Sequence, residues 1–287
     1  MRNKPDNVHS GKRVAFLTGT SSGLGLLSAV ALAQAGYHVI ATMRNVQQHE
    51  QLLREATDVG VQQQIDCRQL DVTNRIAIQE VVSEILSHYG QIDVLVNNAG
   101  FALGGFVEEV SLDDWSEQME TNFFGLVAVT KAILPHMRAR RQGTIINVSS
   151  ISGQFGFPGY APYVSSKYAV EGFSESLRLE MLPFGVHVVL VEPGAYKTSI
   201  WLKGFEQIGV SEYSPYRQRL AAILHYSRKS AETAGDPTEV ARTIVRIAES
   251  RGPKLRYPVG KGVRSTIILK KLLPWKWIEA VVLSKLR

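Results

Sequence analysis

Tyr163 and Lys167 stand four residues apart, and Ser150 lies upstream at the end of an apolar run. On a helix, residues four apart share one face. An unperturbed tyrosine, with a pKa of about 10, is a poor base at neutral pH. A neighbouring ammonium favours the phenolate and lowers that pKa, each unit being worth about 1.4 kcal/mol. A tyrosine tuned in this way exchanges a proton with an alcohol oxygen. A serine hydroxyl can donate a hydrogen bond to the same oxygen while charge develops on it. Taken alone, a Tyr-x-x-x-Lys pair on a helix is more often surface decoration than chemistry, so the surrounding elements must decide.

The three residues belong to one stretch, from Gly143 to Lys167. It opens as a buried strand with Ile145, Ile146 and Val148, passes through a Gly/Pro-rich loop, and enters a helix. Strand, loop and helix form one step of an α/β fold, in which ligands sit at strand ends. A similar step opens the chain. Residues 13–18, RVAFLT, read as a buried strand; GTSSGLG follows; a helix is expected from about Gly25 to Gly36. Such a turn suits phosphate: Gly19 and Gly23 allow close backbone approach, and the helix start supplies free N–H groups and a favourable dipole. The next strand, His38 to Met43, is expected to end beside an adenosine ribose. Sites that prefer NAD place an acid there, whereas this chain has Arg44, a guanidinium suited to a 2′-phosphate. That favours NADP(H).

Strand and helix continue to alternate. A polar helix is expected from about Val46 to Val59 and a strand from Gln64 to Leu70, leading to Asp71-Val72. Thr73 or Asn74 can cap the next helix, which Gly90 ends, and a strand from Ile92 to Val96 delivers NNAG at 97–100. A long helical stretch from about Leu112 to Met137 is interrupted near Asn122 and Gly125, where a buried Asn needs hydrogen-bond partners. Later come a strand over Val186 to Val191, the turn EPGAYKT, a helix from about Pro237 to Ser250 and a short strand near Leu255 to Tyr257. The pattern predicts a doubly wound parallel sheet, a Rossmann fold of three α/β/α layers in a single domain.

Composition sets the outer limits. A chain of 287 residues, 45% hydrophobic, can bury a full core without a second domain. The single Cys67 excludes an intramolecular disulfide framework and fits a reducing compartment; it reads as a core thiol. The polar start MRNKPDNVHSGKR has no apolar signal core, and no run of 18 apolar residues predicts a membrane span. A cytoplasmic protein is expected, and no metal. The net charge of +6 is unevenly distributed: residues 254–287 carry nine Lys/Arg against Glu279 alone, leaving 23 basic and 25 acidic residues elsewhere. A near-neutral body argues against nucleic acid as its partner.

Together these motifs resemble the short-chain dehydrogenase/reductase family, in its single-domain branch of about 250 residues, over about residues 12–260. The features are TGTSSGLG at 18–25, NNAG at 97–100, Ser150, YVSSK at 163–167 and PGAYKT at 193–198. The resemblance implies Tyr163 as general acid/base and Lys167 as the residue that lowers its pKa and bonds the nicotinamide ribose. Ser150 would polarise the substrate oxygen, chosen over Ser149 for its thirteen-residue spacing to Tyr163. Asn122 would complete a tetrad, holding a water in a proton relay through Lys167. The pyrophosphate turn would be Gly19, Ser21, Ser22, Gly23, Leu24 and Gly25. Asp71 and Val72 would flank the adenine, with Asn98, Ala99 and Gly100 along the cofactor, and Pro193, Gly194 and Thr198 around the nicotinamide. Arg44 matches the usual basic position of NADP-preferring members, but the second basic position, before the middle glycine, holds Ser22.

The segments VIATMRN and SSKYAVEGFSESLRLEM are closest in flavour to hydroxysteroid and retinol dehydrogenases. They point to a hydrophobic alcohol or ketone as substrate and to an NADP(H)-dependent hydride transfer. The alternative is a catalytically silent cofactor-binding sensor or scaffold of the same fold. Phe101, Phe155, Phe157, Tyr160, Trp201, Leu202 and Phe205 could line an apolar pocket or serve packing, with a substrate lid at about 195–230. A second apolar stripe on the Tyr163 helix (Val164, Tyr168, Phe173, Leu177, Met181) predicts a homodimer or homotetramer. Residues 1–11 read as a flexible lead and 261–287 as a basic amphipathic tail split by Pro274. That tail could make peripheral membrane contact, or cap the pocket or a subunit interface.

Overall fold

The computed structural model describes residues 11–197 and 213–284. Thr198, Trp201, Leu202 and Phe205 lie outside them. Seven strands form one sheet: β1 Val14–Thr18, β2 His38–Met43, β3 Ile65–Gln69, β4 Val94–Asn97, β5 Gly143–Val148, β6 Val186–Pro193 and β7 Arg256–Val259, in the order β3-β2-β1-β4-β5-β6-β7. All six pairings are parallel. The fully buried apolar runs follow from this, because helices cover both faces.

Alternate strand residues feed two cores. On one face Ala15, Leu17, Val39, Val94 and Val96 pack with α1 (Gly23–Gln34), α2 (Glu50–Asp58) and α8 (Thr238–Ala248). On the other, Val14, Phe16, Ile40 and Leu95 pack with α3 (Arg75–Tyr89), α5 (Gly125–Arg140) and α6 (Ala161–Met181). This is the expected three-layer Rossmann arrangement. The order reverses between β1 and β4, so the crevice for a ligand opens at the carboxyl ends of those strands.

Local differences from the sequence reading have plain causes. The first helix starts at Gly23 rather than Gly25, because Ser22, in extended backbone, is its N-cap. Asn74 rather than Thr73 caps α3, accepting from the N–H groups of Ile76 and Ala77 at 3.1 Å each. The interrupted helix resolves into α4 (Leu112–Met119), a π-helical turn (Glu120–Phe124) and α5. Within the expected lid, α7 (Arg217–Glu232) buries Leu220 and Ile223. Its neighbourhood is clasped to the body by ring stacks of Phe106 on Tyr216 and Phe157 on Tyr226. The tail forms α9 (Val263–Leu272) and α10 (Trp275–Ser284). The stripe on α6 divides: Leu177 and Met181 are buried in this chain's own core and Phe173 packs against it, while Tyr168 is exposed. The end of that stripe therefore serves this chain's own core.

Candidate active site

At the carboxyl end of the sheet lies a cavity of about 910 Å³. Its wall includes Gly19, Ser21, Ser22, Gly23 and Leu24 at the start of α1, then Arg44 after β2, and Asp71 and Val72 after β3. Asn98, Ala99 and Gly100 follow β4, Ser150 follows β5, Tyr163 and Lys167 come from α6, Pro193 ends β6 and Gly194 follows it. Residues distributed over the whole chain thus meet at one crevice.

The glycine turn is tightly built. Gly19 sits at φ +70° and Gly23 at φ +59°, in the left-handed region that favours glycine. Gly25 does not face the cavity; a Cβ there would lie 2.1 Å from the Gly19 carbonyl oxygen and 2.4 Å from Asn98 Nδ2. Asn98 Nδ2 donates to the carbonyls of Thr18 (3.1 Å) and Gly19 (2.8 Å). In return, Thr18 Oγ1 accepts from the N–H groups of Asn98 (3.0 Å) and Ala99 (3.1 Å). Asn98 is therefore a strut beneath the turn as well as a wall residue. Asp71 Oδ1 is held by the N–H (2.9 Å) and hydroxyl (2.8 Å) of Thr73.

The donor set fits a dinucleotide. Gly23 and Leu24 line the cavity at the first turn of α1, where N–H groups have no partner within the helix. Arg44 stands at the same wall, exposed.

The Ser150–Tyr163–Lys167 group closes the far end. Ser150 stands close enough to Tyr163 to favour its phenolate, and its Oγ accepts from the Ser152 N–H at 3.1 Å. Lys167 Nζ donates to the Val148 carbonyl at 2.8 Å, tying α6 to the end of β5, and lies 5.7 Å from the Tyr163 ring centroid. Burial raises Tyr163 above its ordinary value, opposed by Ser150. Burial pulls Lys167 down to about 8, opposed by the Glu171 charge. Burial is the largest influence on both groups and disfavours the charged form of each, so Tyr163 shifts upward here rather than downward.

Asn122 lies behind this group, buried in the π turn. Its Oδ1 accepts from the Phe101 N–H at 3.0 Å, and its Nδ2 donates to the Phe101 carbonyl (2.9 Å) and Ser166 Oγ (3.1 Å). Ser166 Oγ in turn donates to the Tyr163 carbonyl at 2.7 Å. Both amide N–H groups of Asn122 are committed, so the side chain fixes the segment at Phe101, beyond β4, to the turn carrying Tyr163. Gly100 allows this, since a Cβ there would lie 2.9 Å from Asn122 Oδ1.

Sequence reasoning did not single out Thr18, Gln48, Ser149 or Tyr196. Gln48, Ser149 and Tyr196 line the cavity, and Thr18 braces it. Thr18 and Tyr196 lie inside recognisable motifs; Gln48 carries no signal beyond its closeness to Arg44. Of the apolar residues expected at a pocket, Phe101 does line the cavity. Tyr160 instead pairs with Ser227 of α7 at 3.2 Å.

A parallel doubly wound sheet with a glycine turn after β1 and a Ser/Tyr/Lys group after β5 defines a nucleotide-dependent oxidoreductase of the α/β class. The short chain dehydrogenase profile matches residues 13–208, and the chain belongs to that family. It is a dehydrogenase/reductase acting on alcohol and carbonyl groups with NAD(P). It is 48% identical to the uncharacterized oxidoreductase YusZ of Bacillus subtilis, over 96% of this chain and 99% of the relative. It is 35% identical to 3-ketodihydrosphingosine reductase of Bacteroides thetaiotaomicron, over 92% and 93%. It is 37% identical to retinol dehydrogenase 8 of Bos taurus, over 91% and 86%. Among solved structures, ElxO with NADP bound matches with a TM-score of 0.74 at 29% identity, over 88% of this chain and 99% of that one. A short-chain dehydrogenase/reductase from Burkholderia phymatum in complex with NAD gives a TM-score of 0.78 at 25% identity, over 91% and 93%.

Proposed function

We propose that this protein is an NADP(H)-dependent reductase of a hydrophobic ketone or aldehyde, reversible as an alcohol dehydrogenase, with Tyr163 as the general acid/base. The convergence of Ser150, Tyr163 and Lys167 at one end of the cavity carries this reading. A bound nicotinamide supplies the hydride chemistry. Gly19, Ser21, Ser22, Gly23 and Leu24 would hold its pyrophosphate and Arg44 its 2′-phosphate. Asp71 and Val72 would flank the adenine, and Asn98, Ala99, Gly100, Pro193 and Gly194 the remainder, with Gly25 supporting the turn from beneath. In reduction, Tyr163 gives its proton to the substrate oxygen as the carbonyl carbon gains hydride, and Ser150 donates a hydrogen bond to that oxygen. Lys167 meets the phenolate with its ammonium, so the charge created by proton transfer is matched where burial would otherwise oppose it. Burial that keeps the proton on Tyr163 supports reduction at neutral pH, with oxidation favoured as pH rises.

Phe101, Ala102 and Leu103, which line the same cavity as Tyr163, support an apolar substrate. So do the relatives named for 3-ketodihydrosphingosine and retinol. Among the described residues no helix is long and apolar enough to cross a membrane. The tail nonetheless exposes Leu272, Trp275, Trp277 and Val281 beside Lys270, Lys271 and Lys276. We place the protein in the cytoplasm, with this tail resting on an anionic lipid surface. The exposed Phe124 and Tyr168 support a homodimer or homotetramer, with Tyr168 on α6.

The test follows NADPH and NADH oxidation with a panel of long-chain ketones, steroids and retinal, using Tyr163→Phe as control. Turnover with NADPH that disappears in Tyr163→Phe, while NADPH binding persists, is expected. Full activity in the phenylalanine variant would overturn the role of Tyr163. A preference for NADH would overturn that of Arg44.

A further inference from the structure

One turn beyond Lys167 on α6, Glu171 is buried, and Glu192, which precedes Pro193 in β6, is fully buried. Carboxyls this deep require partners, and theirs form a closed cluster. Gln154 Nε2, four residues after Ser150, donates to Glu171 Oε2 at 3.0 Å and Glu192 Oε1 at 3.1 Å. Arg256 of β7 donates through Nε to the same two oxygens at 3.1 Å each. Its second nitrogen, Nη2, reaches Glu171 Oε2 at 2.9 Å and Glu175 Oε1 at 2.6 Å. Two donors each serving the same two oxygens bring the carboxyls side by side, where like charges in a buried site favour a proton on one of them. Among the described residues, no donor reaches Glu171 Oε1 or Glu192 Oε2. One proton shared by the pair fits both facts.

The cluster touches three of the segments that carry the active site. Gln154 belongs to the Ser150 segment, Glu171 to the Tyr163–Lys167 helix, and Glu192 to the strand ending at Pro193-Gly194. The other charged groups facing it are Lys167 and Glu175 on α6 and Arg256 on β7. Lys270 of α9 approaches as well, donating to the Gln154 carbonyl and to the Tyr168 hydroxyl.

We propose that Glu171 and Glu192 are positioning residues that share one proton behind Lys167, and that release of this proton adds a charge that holds Lys167 as an ammonium. Burial first, and the Glu171 charge next, push Glu192 up to about 7 against the pull of Arg256. Lys167, lowered by burial to about 8, is raised by the Glu171 charge. The two titrations are neighbours in pH. As pH rises through neutrality the pair passes from one negative charge to two, and Lys167 keeps its proton to a higher pH than it would beside a singly charged pair. The inference rests on Lys167 acting through its ammonium, as in the proposed function.

The experiment uses the full chain as wild type, Glu192→Gln and Glu171→Gln. Infrared difference spectra should show a protonated buried carboxyl in wild type at about pH 6 that is lost through the neutral range and is missing from Glu192→Gln. NADPH and NADH binding, followed by fluorescence against pH, should weaken on the alkaline side as Lys167 discharges. In Glu192→Gln that midpoint should fall by about one pH unit, with affinity unchanged at about pH 6, where both proteins carry a single charge. A merely structural role would weaken binding equally at both ends. Glu171→Gln should give the same downward shift and serves if Glu192→Gln does not fold. No protonated carboxyl in wild type, or an unmoved midpoint in both variants, would overturn the proposal. Loss of turnover against every carbonyl, with the pH shift intact, would instead overturn the reductase reading and leave this one standing.

Discussion

Replacing Gly25 by alanine puts a methyl carbon 2.1 Å from the Gly19 carbonyl oxygen and 2.4 Å from Asn98 Nδ2. Neither neighbour can yield cheaply. Gly19 is already in the left-handed region at φ +70°, and Asn98 holds the carbonyls of Thr18 and Gly19. Moving the start of α1 away amounts to overpacking, at about 1–3 kcal/mol. Releasing the two Asn98 hydrogen bonds adds about 1 kcal/mol each. The expected loss is therefore about 4 kcal/mol. At about 2–4 °C per kcal/mol for a domain of this order of size, the melting temperature should fall by roughly 10 °C. Distortion of the turn should also weaken dinucleotide binding by at least about tenfold, or 1.4 kcal/mol. Gly172 is the internal control: it is mid-helix on α6 with nothing within 4 Å of its added Cβ. There alanine should stabilise by about 1 kcal/mol. Thermal melts and fluorescence titration with NADPH read both variants. A Gly25→Ala protein that melts and binds like wild type would show that the turn relaxes freely, and the argument from close approach would fail.

Arg44→Ala should raise the Kd for NADPH by about ten- to a hundredfold through loss of charged hydrogen bonds, with NADH affinity nearly unchanged; equal weakening of both would mean that Arg44 does not read the 2′-phosphate. Lys167 is lowered from 10.5 to about 8 in the folded chain, so between those values the unfolded chain binds the extra proton and stability should rise with pH. Urea melts at about pH 8 and pH 9.5 should show this rise in wild type and a smaller one in Lys167→Met; identical slopes would refute the assignment. Lys271→Glu with Lys276→Glu should abolish sedimentation with anionic vesicles while leaving turnover of a water-soluble carbonyl intact. Vesicle binding that survives the reversal would remove the tail from the lipid surface.

Much of the fold was legible because strands buried on both faces have a simple signature. VAFLT and TIINV, within β1 and β5, are continuous apolar or small-polar runs that end at glycine, serine or asparagine. The site was legible for the same reason, since its residues sit at those strand ends. What sequence hides is burial. Glu171 and Glu192 have the residue type of a solvated surface, yet both are interior, and nothing local records that Arg256, some sixty residues away from Glu192 in sequence, will meet them. The upward shift of Tyr163 is hidden likewise: the Lys167 spacing shows attraction, whereas desolvation depends on the whole fold. Leu177 and Met181 completed a plausible outward stripe, yet both serve this chain's own core.

The π turn at Glu120–Phe124 is, in length, one residue inserted into an otherwise continuous helix. Removing a residue there would let α4 and α5 join as regular α-helix, relieving the poorer local hydrogen bonding. Each residue of an α-helix turns by about 100°, following from 3.6 residues per turn, so one of the two flanking segments would rotate by that amount. Asn122 could then no longer face Phe101 and Ser166 while Val129 and Ile133 stayed in the core. The chain therefore keeps a locally weaker helix, and a single-residue deletion would yield a more regular helix that aims its asparagine at the wrong neighbour.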